Sequence, residues 1–586
     1  MFGLNRRNFL KTLGVGSAAA VSPSLLLKSS KSYAAPVSVK GPQFQDWEGR
    51  WQGPVPWPED TDPIPPASLP AGWDKTYDVV IVGSGAAGIS AAGAAAEEGA
   101  KVLVLEKAPE PFGTGGMAHF FIFSGGGPDW VRAPGKDGGT LGDLWTDPML
   151  KNTWIGIAGE IANRLTDKMG MKWVYMPNSP VLEKSPSRLP LMFLYPVATD
   201  TTEYPLAPGG MASRLDATIG NPYNRNMVYM ITMKRYAEKL GAELLTSTPV
   251  EALVTDGNKV TGVKARDANG RPFYIQATKG VILAAGCMAG SVPMLKRYDP
   301  YVGGRSGAYN GATVNMGDGI RMGLGVGGVL AGTNDIFSCM DGGVTCFERG
   351  VGPWRQYLYQ AVVQMSRWPT LMVDKYGRRW HNEDTGWDSV LTSLGMLGLP
   401  DGLTYTIFDR GHLEAFANAA KPVYCERPVQ KIDYHIQPDG STFPLTPVFW
   451  DGIKQAVAAR KMRMADSVKD LANIYGVDPS GLQTTIERYN HICYNRKDTD
   501  FYKSPEILFP IDSPPYYIIE TRPTLFGHMA GLKINPMVQA VTDSGSPIGG
   551  LYIAGENANY TANATSAALG WVAGKNATGK GIVLAG

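Results

Sequence analysis

An α/β architecture follows from three features of the 586-residue chain. An apolar strand at Val79 to Val82 runs straight into a glycine-rich turn and an alanine-rich helix ending near Glu98. A second short strand, Lys101 to Leu105, follows at once and ends on an acid, Glu106. A third strand of the same kind, Gly549 to Ala554, also ends on an acid, Glu556, near the far end of the chain. Strands alternating with helices in this way build a parallel sheet covered on both faces.

Composition narrows the function classes. With 44% hydrophobic and 18% charged residues, the chain is globular, and its 71 glycines far exceed the usual share of about 7%. The length accommodates several domains or one large enzyme with an insertion. Net charge is +2, but residues 1–34 hold five basic and no acidic residues, leaving 50 basic against 53 acidic elsewhere. A body so near neutrality lacks the basic excess that phosphate neutralisation needs, so nucleic acid is not an expected partner. Five scattered cysteines with no CxxC or CxxCH argue against a disulfide scaffold, a zinc ribbon or c-type haem, and no metal site is expected.

From the N-terminus, Asn5-Arg6-Arg7-Asn8-Phe9-Leu10-Lys11, a weakly apolar stretch to Leu27 and the small residues ending at Ala34 resemble a twin-arginine export signal over residues 1–34. That route carries folded proteins, so a cofactor inserted before export and a periplasmic or extracellular destination are expected. No later run reaches the roughly 18 apolar residues of a membrane span. Residues 35–75, rich in proline from Pro54 to Pro70, read as an extended strap or linker.

The turn after Val82 reads Gly83-Ser84-Gly85-Ala86-Ala87-Gly88, a GxGxxG in its required strand–turn–helix–strand setting. Gly83 permits the tight turn, Gly85 lets backbone N–H groups approach a pyrophosphate, and Gly88 permits close helix–strand contact. The helix N-terminus offers partial positive charge to phosphates. Glu106 stands where a carboxylate accepts both hydroxyls of an adenosine ribose. The unit is therefore Rossmann-like and dinucleotide-binding.

Val281-Ile282-Leu283-Ala284-Ala285-Gly286, Gly317-Asp318-Gly319-Ile320 and the closing Gly549 to Glu556 follow in an order that resembles the FAD-dependent fumarate reductase and succinate dehydrogenase flavoproteins. That superfamily includes 3-ketosteroid dehydrogenases, and the resemblance spans roughly residues 76–586. It implies an FAD-binding domain in two parts, 76–332 and 514–586, with an α+β capping domain inserted at 333–513. Strands around Val250 and the hairpin Val260 to Ala277 would form a smaller sheet. Substrate would bind between the cap and the flavin ring. The expected FAD contacts are Gly83, Gly85, Ala87, Gly88 and Glu106, with Val250 at the adenine, and Gly286, Asp318, Glu556 and Leu569. Asp318 read alone equally caps the following helix, and Val250 equally serves as strand core. His119 precedes Gly125-Gly126 by six residues, where relatives carry either an asparagine against the flavin or a histidine bonded to its 8α-methyl, so covalent FAD at His119 is one expectation.

The resemblance breaks where the family handles fumarate. The family reads G-x-R-F-x-x-E and then T-T-R-D, whose arginine delivers a proton. Here Gly377 to Glu383 is followed by Asp384-Thr385-Gly386-Trp387-Asp388, with Trp387 in the acid's place. An indole N–H only donates a hydrogen bond and is no protic acid near neutrality. The relay Glu and Arg correspond to Val363 and Ser366, and the paired histidines of H-H-T-M-G-G give way to Phe526-Gly527-His528-Met529-Ala530-Gly531. Asn557 to Gly570 is shorter than its counterpart and carries no charge.

A less anionic, bulkier substrate is expected, in a pocket to which Trp354, Tyr357, Tyr359, Trp380, Trp387 and Tyr560 are candidates, each equally explained as packing. Candidate acids or bases are Arg522, His528 and Tyr560, with Tyr516 and Tyr517 nearby. The expected function is an exported oxidoreductase moving a hydride between FAD and a carbon–carbon bond next to a polarising group, as ene-reductase or dehydrogenase. Rivals are a 3-ketosteroid dehydrogenase, a fumarate or other dicarboxylate reductase, and a flavin-binding electron-transfer module without chemistry. With no haem motif on the chain, a separate cytochrome or quinol-linked partner is expected.

Overall fold

A computed structural model describes residues 61–109, 148–176, 225–305, 314–331, 370–383, 395–418, 462–523, 530–558 and 563–581, with short pieces between them. The export-signal region, His119, Trp354, Tyr357, Tyr359, Val363, Ser366, Trp387 and Tyr560 lie outside the described residues.

The first unit is β1 (Lys75–Val82), α1 (Ala86–Glu97) and β2 (Val102–Leu105). After α2 (Pro148–Met169) and α3 (Arg225–Lys239) come β3 (Glu243–Leu245), β4 (Val250–Asp256), β5 (Lys259–Arg266) and β6 (Pro272–Leu283). A parallel core runs through β3, β2, β1 and β6 and closes on β7 (Pro547–Ile553), which pairs with β6 at Val281↔Leu551. Val79 to Val82 and Val102 to Leu105 are buried without alternation, as strands covered on both faces must be.

Helix α1 explains its own composition. It packs on α4 (Asn563–Ala577), and a Cβ at Gly570 would stand 2.0 Å from Ala87 O, one at Gly574 2.4 Å from Ala91 O. Only alanine and glycine allow the backbones that close.

The expected small sheet is not separate. β6 is 12 residues long; its first half pairs antiparallel with β5, Val281 to Leu283 pair parallel with β7, and β1 runs parallel beside it from Ile275 to Leu283. One strand thus serves both sheets.

The strap also has a definite seat. Ile64 N–H donates to Arg321 O, Arg321 Nε donates to Asp62 O, and Ala67 bridges Val254. Arg297 pairs with Asp62, and Trp73 covers Gly262. Residues 61–74 therefore tie the β4–β5 hairpin to the helix Asp318–Gly325.

The cap centres on the strand Tyr516–Arg522, which pairs antiparallel with Thr404–Asp409, with Arg463–Ala465 and with Gly343–Val344. Helices Val468–Tyr475 and Pro479–Tyr494 supply its apolar cover through Leu471, Leu482, Ile486 and Tyr489. This differs from the boundary expected at 513/514: the chain leaves the cap only after Arg522, because the last cap strand is needed to complete the sheet. Among the described residues no helix is long and apolar enough to cross a membrane.

Candidate functional site

The dinucleotide turn is built for close approach. Gly83 has a φ of +99°, and a Cβ there would lie 2.4 Å from Ala284 O. A Cβ at Gly88 would lie 1.9 Å from Gly83 O, whereas one at Gly85 meets nothing within 4 Å. Gly85 is also the N-cap of α1 and provides no side-chain cap. The open space above it and the uncapped first-turn N–H groups are what a diphosphate requires.

Glu106 is buried and already organised. Its Oε2 accepts from Ser84 N–H at 3.0 Å and from the Ser84 hydroxyl at 2.7 Å, while Oε1 accepts from Ala108 N–H at 2.9 Å. Phe112 N–H in turn donates to Ser84 Oγ at 3.0 Å. Since a carboxylate offers about four acceptor sites, Oε1 keeps acceptor capacity toward a ribose.

On the flavin side, Asp318 does not cap its helix: Gly317 is the N-cap, and Asp318 Oδ2 instead lies 2.5 Å from Lys107 Nζ. Nothing in the sequence marks Lys107, because its partner Asp318 lies 211 residues further on. Asn557 clamps the ends of two strands, its Oδ1 accepting from Ala285 N–H and its Nδ2 donating to Gly286 O, both at 2.6 Å. Asn315 fills the space beside Gly286. Glu556 Oε2 accepts from Cys287 N–H at 3.2 Å and Asn315 Nδ2 at 3.5 Å; burial pushes its carboxyl up to about 7. Val250 pairs with Ala265 and packs on the main core, and Leu569 lies within that core on α4.

The candidate proton donors separate. His528 is fully buried; its Nε2 meets Asp299 Oδ2 at 3.0 Å and its Nδ1 accepts from Ala530 N–H at 3.2 Å, so neither ring nitrogen is left to face a substrate. Arg522 ends the central cap strand opposite Gly343. Tyr517 stacks on Phe408 at 5.4 Å within the cap. Trp380 donates its indole N–H to Thr404 Oγ1 at 2.9 Å and stacks on His381, so the one described pocket aromatic is engaged in cap packing.

The family-like Arg379 and Glu383 are also internal to the cap. Arg379 binds Glu383 in bidentate fashion at 2.9 and 2.7 Å and reaches Asp498 at 2.8 Å, with Lys503 3.5 Å from Glu383 and 2.7 Å from Tyr489 Oη. No group of three or more potential metal ligands occurs among the described residues.

A glycine-cradled dinucleotide site with a second acid-ended strand beside it is the architecture of an FAD-binding flavoprotein. Residues 78–568 match the FAD binding domain family, and the chain belongs to it. It is similar to the digoxin reductase of Eggerthella lenta, 26% identical over 94% of this chain and 91% of that protein. It is likewise 26% identical to a fumarate reductase (cytochrome) of Shewanella frigidimarina over 84% of this chain and 73% of that one. In fold it is similar to the 3-ketosteroid-Δ4-(5α)-dehydrogenase of Rhodococcus jostii RHA1, with a TM-score of 0.59, 23% identity and coverage of 88% and 99%.

Proposed function

We propose that this chain is an exported ene-reductase or dehydrogenase for a bulky, non-dicarboxylate organic substrate whose carbon–carbon bond adjoins a polarising group. FAD, when bound, supplies the two-electron hydride chemistry. The protein's part is to hold the cofactor through Gly85, the first turn of α1 and Glu106, and to present a substrate surface without a second anion clamp.

The observation that carries this reading is the loss of charge at the family's fumarate positions: Trp387 replaces the acid, and no charged residue stands between Asn557 and Gly570. Two similar relatives act on substrates as unlike as digoxin and fumarate, so the scaffold admits both and local charge must discriminate. Loss of one charged hydrogen bond to a substrate costs about 1.5–3 kcal/mol. Arg522 and Tyr560 are the proposed proton-handling groups, and an external cytochrome or quinol-linked protein is the proposed electron partner. Export rests on Arg6-Arg7 and the small residues ending at Ala34.

The test is anaerobic reoxidation of chemically reduced enzyme by aryl acrylates, monocarboxylic enoates and steroidal enones, with fumarate alongside. Reoxidation by one of the first three classes and not by fumarate is expected. Brisk fumarate-dependent oxidation of reduced methyl viologen would overturn the substrate class. Bleaching of oxidised flavin by a saturated ketosteroid without added oxidant would assign the dehydrogenase direction.

A further inference from the structure

We propose that FAD binding to this protein takes up a proton at Glu556, which holds the cofactor as a neutral carboxylic acid. The geometry begins with Gly555, whose φ is +64° and whose added Cβ would stand 2.9 Å from Ala87 Cβ. Ala87 lies in the first turn of α1, where a diphosphate would be held, so the turn that carries Glu556 packs against that end of the helix.

Nothing of opposite charge answers it among the described residues. Facing Glu556 from the turn after β6 is Cys287, through its N–H and its thiol, and burial pushes that thiol well up, leaving it uncharged. From the segment before Asp318 comes the neutral Asn315 amide. On its own turn, the Asn557 amide is spent on Ala285 and Gly286. No lysine or arginine among the described residues pairs with Glu556, and Lys107 is engaged by Asp318. Burial outweighs the hydrogen bonds from Cys287 and brings the carboxyl up to about 7 in the cofactor-free chain. A diphosphate at the neighbouring helix turn and the exclusion of water by the cofactor both penalise the ionised form further. The proton comes from solvent, and no electron transfer is involved.

The sign follows by linkage. Below about pH 7 Glu556 is protonated before FAD arrives, and affinity is flat. Above it the free carboxylate must be protonated on binding, so affinity falls about tenfold for each pH unit. Isothermal titration of flavin-free protein with FAD at pH 8, in two buffers of different ionisation enthalpy, reads the uptake directly; about 0.9 proton per site is expected. Flavin fluorescence quenching from pH 6 to 9 gives the affinity profile. Glu556→Gln, permanently neutral, is expected to bind with a flat profile and no uptake. Buffer-independent enthalpy in the wild-type protein, or an unchanged pH slope in Glu556→Gln, would overturn the proposal. The wild-type calorimetry decides even if the variant folds poorly.

Discussion

His528 Nε2 and Asp299 Oδ2 meet at 3.0 Å with both side chains fully buried, joining two segments 229 residues apart in the chain. Because Nδ1 accepts the Ala530 N–H, the hydrogen-bond network assigns the ring proton to Nε2, which donates to Asp299. Asp299 also accepts from Val302 N–H. The histidine pins the segment returning from the cap onto the FAD-binding domain, and positioning is its role here. His528→Ala leaves a buried carboxylate without this partner and is expected to cost about 3 kcal/mol in denaturant unfolding. His528→Gln, which keeps a donor, is expected to recover part of that and to leave the pH profile of turnover unchanged. A lost basic or acidic limb in the Gln variant would return His528 to proton transfer.

The dinucleotide turn predicts opposite behaviour for two glycines three residues apart. Gly88→Ala puts a methyl 1.9 Å from Gly83 O, so the flavin-free protein itself is expected to lose about 1–3 kcal/mol. A Cβ at Gly85 meets nothing within 4 Å, so Gly85→Ala is expected to leave flavin-free stability nearly unchanged while purifying with little or no FAD. The ratio of absorbance at 450 and 280 nm, with thermal melts of both flavin-free variants, separates the two effects.

The cap cluster predicts acid sensitivity. Burial acts to raise the Asp498 pKa, but the Arg379 hydrogen bond and the N–H groups of Asp500, Phe501 and Lys503 outweigh it and hold it at about 2. Burial likewise opposes ionisation of Glu383, and the charges of Lys503 and Arg379 prevail to lower it. Depressed pKa values stabilise the fold above the unfolded carboxylate range of about 4 and lose that contribution as pH falls toward the folded values. The cap is therefore expected to loosen between about pH 4 and pH 2. Arg379→Gln removes a shared partner, is expected to cost about 3 kcal/mol at pH 7, and shifts the onset of acid unfolding upward. Hydrogen exchange at Leu371 to Val373 against pH follows the transition.

The strap predicts a local phenotype. A Cβ at Gly325 would lie 1.7 Å from Ile64 O, so Gly325→Val is expected to unseat residues 61–67 and cost about 1–3 kcal/mol. Limited proteolysis near Ile64 should accelerate in the variant. Unchanged cleavage would mean that the strap is not held by this contact.

The dinucleotide site was legible because its requirements are local. Gly83, Gly85, Gly88 and Glu106 follow one strand–turn–helix–strand unit, whose backbone geometry dictates residue type at each step. The family order likewise marked Asp318 and Glu556. What these acids touch was decided elsewhere: Lys107 and Asp318 are 211 residues apart, and Cys287 reaches Glu556 across the sheet. The strand Tyr516–Arg522 has no local signature that assigns it to the cap; its membership comes from pairing with Thr404–Asp409. His528 shows the same limit, since an imidazole's role depends on which groups occupy its two nitrogens, and here those are Asp299 and Ala530. Backbone preference and hydrophobic period are properties of a short window of sequence. Partner choice in a buried polar network is not, because it is set by which distant segments the packed sheet brings within 3 Å.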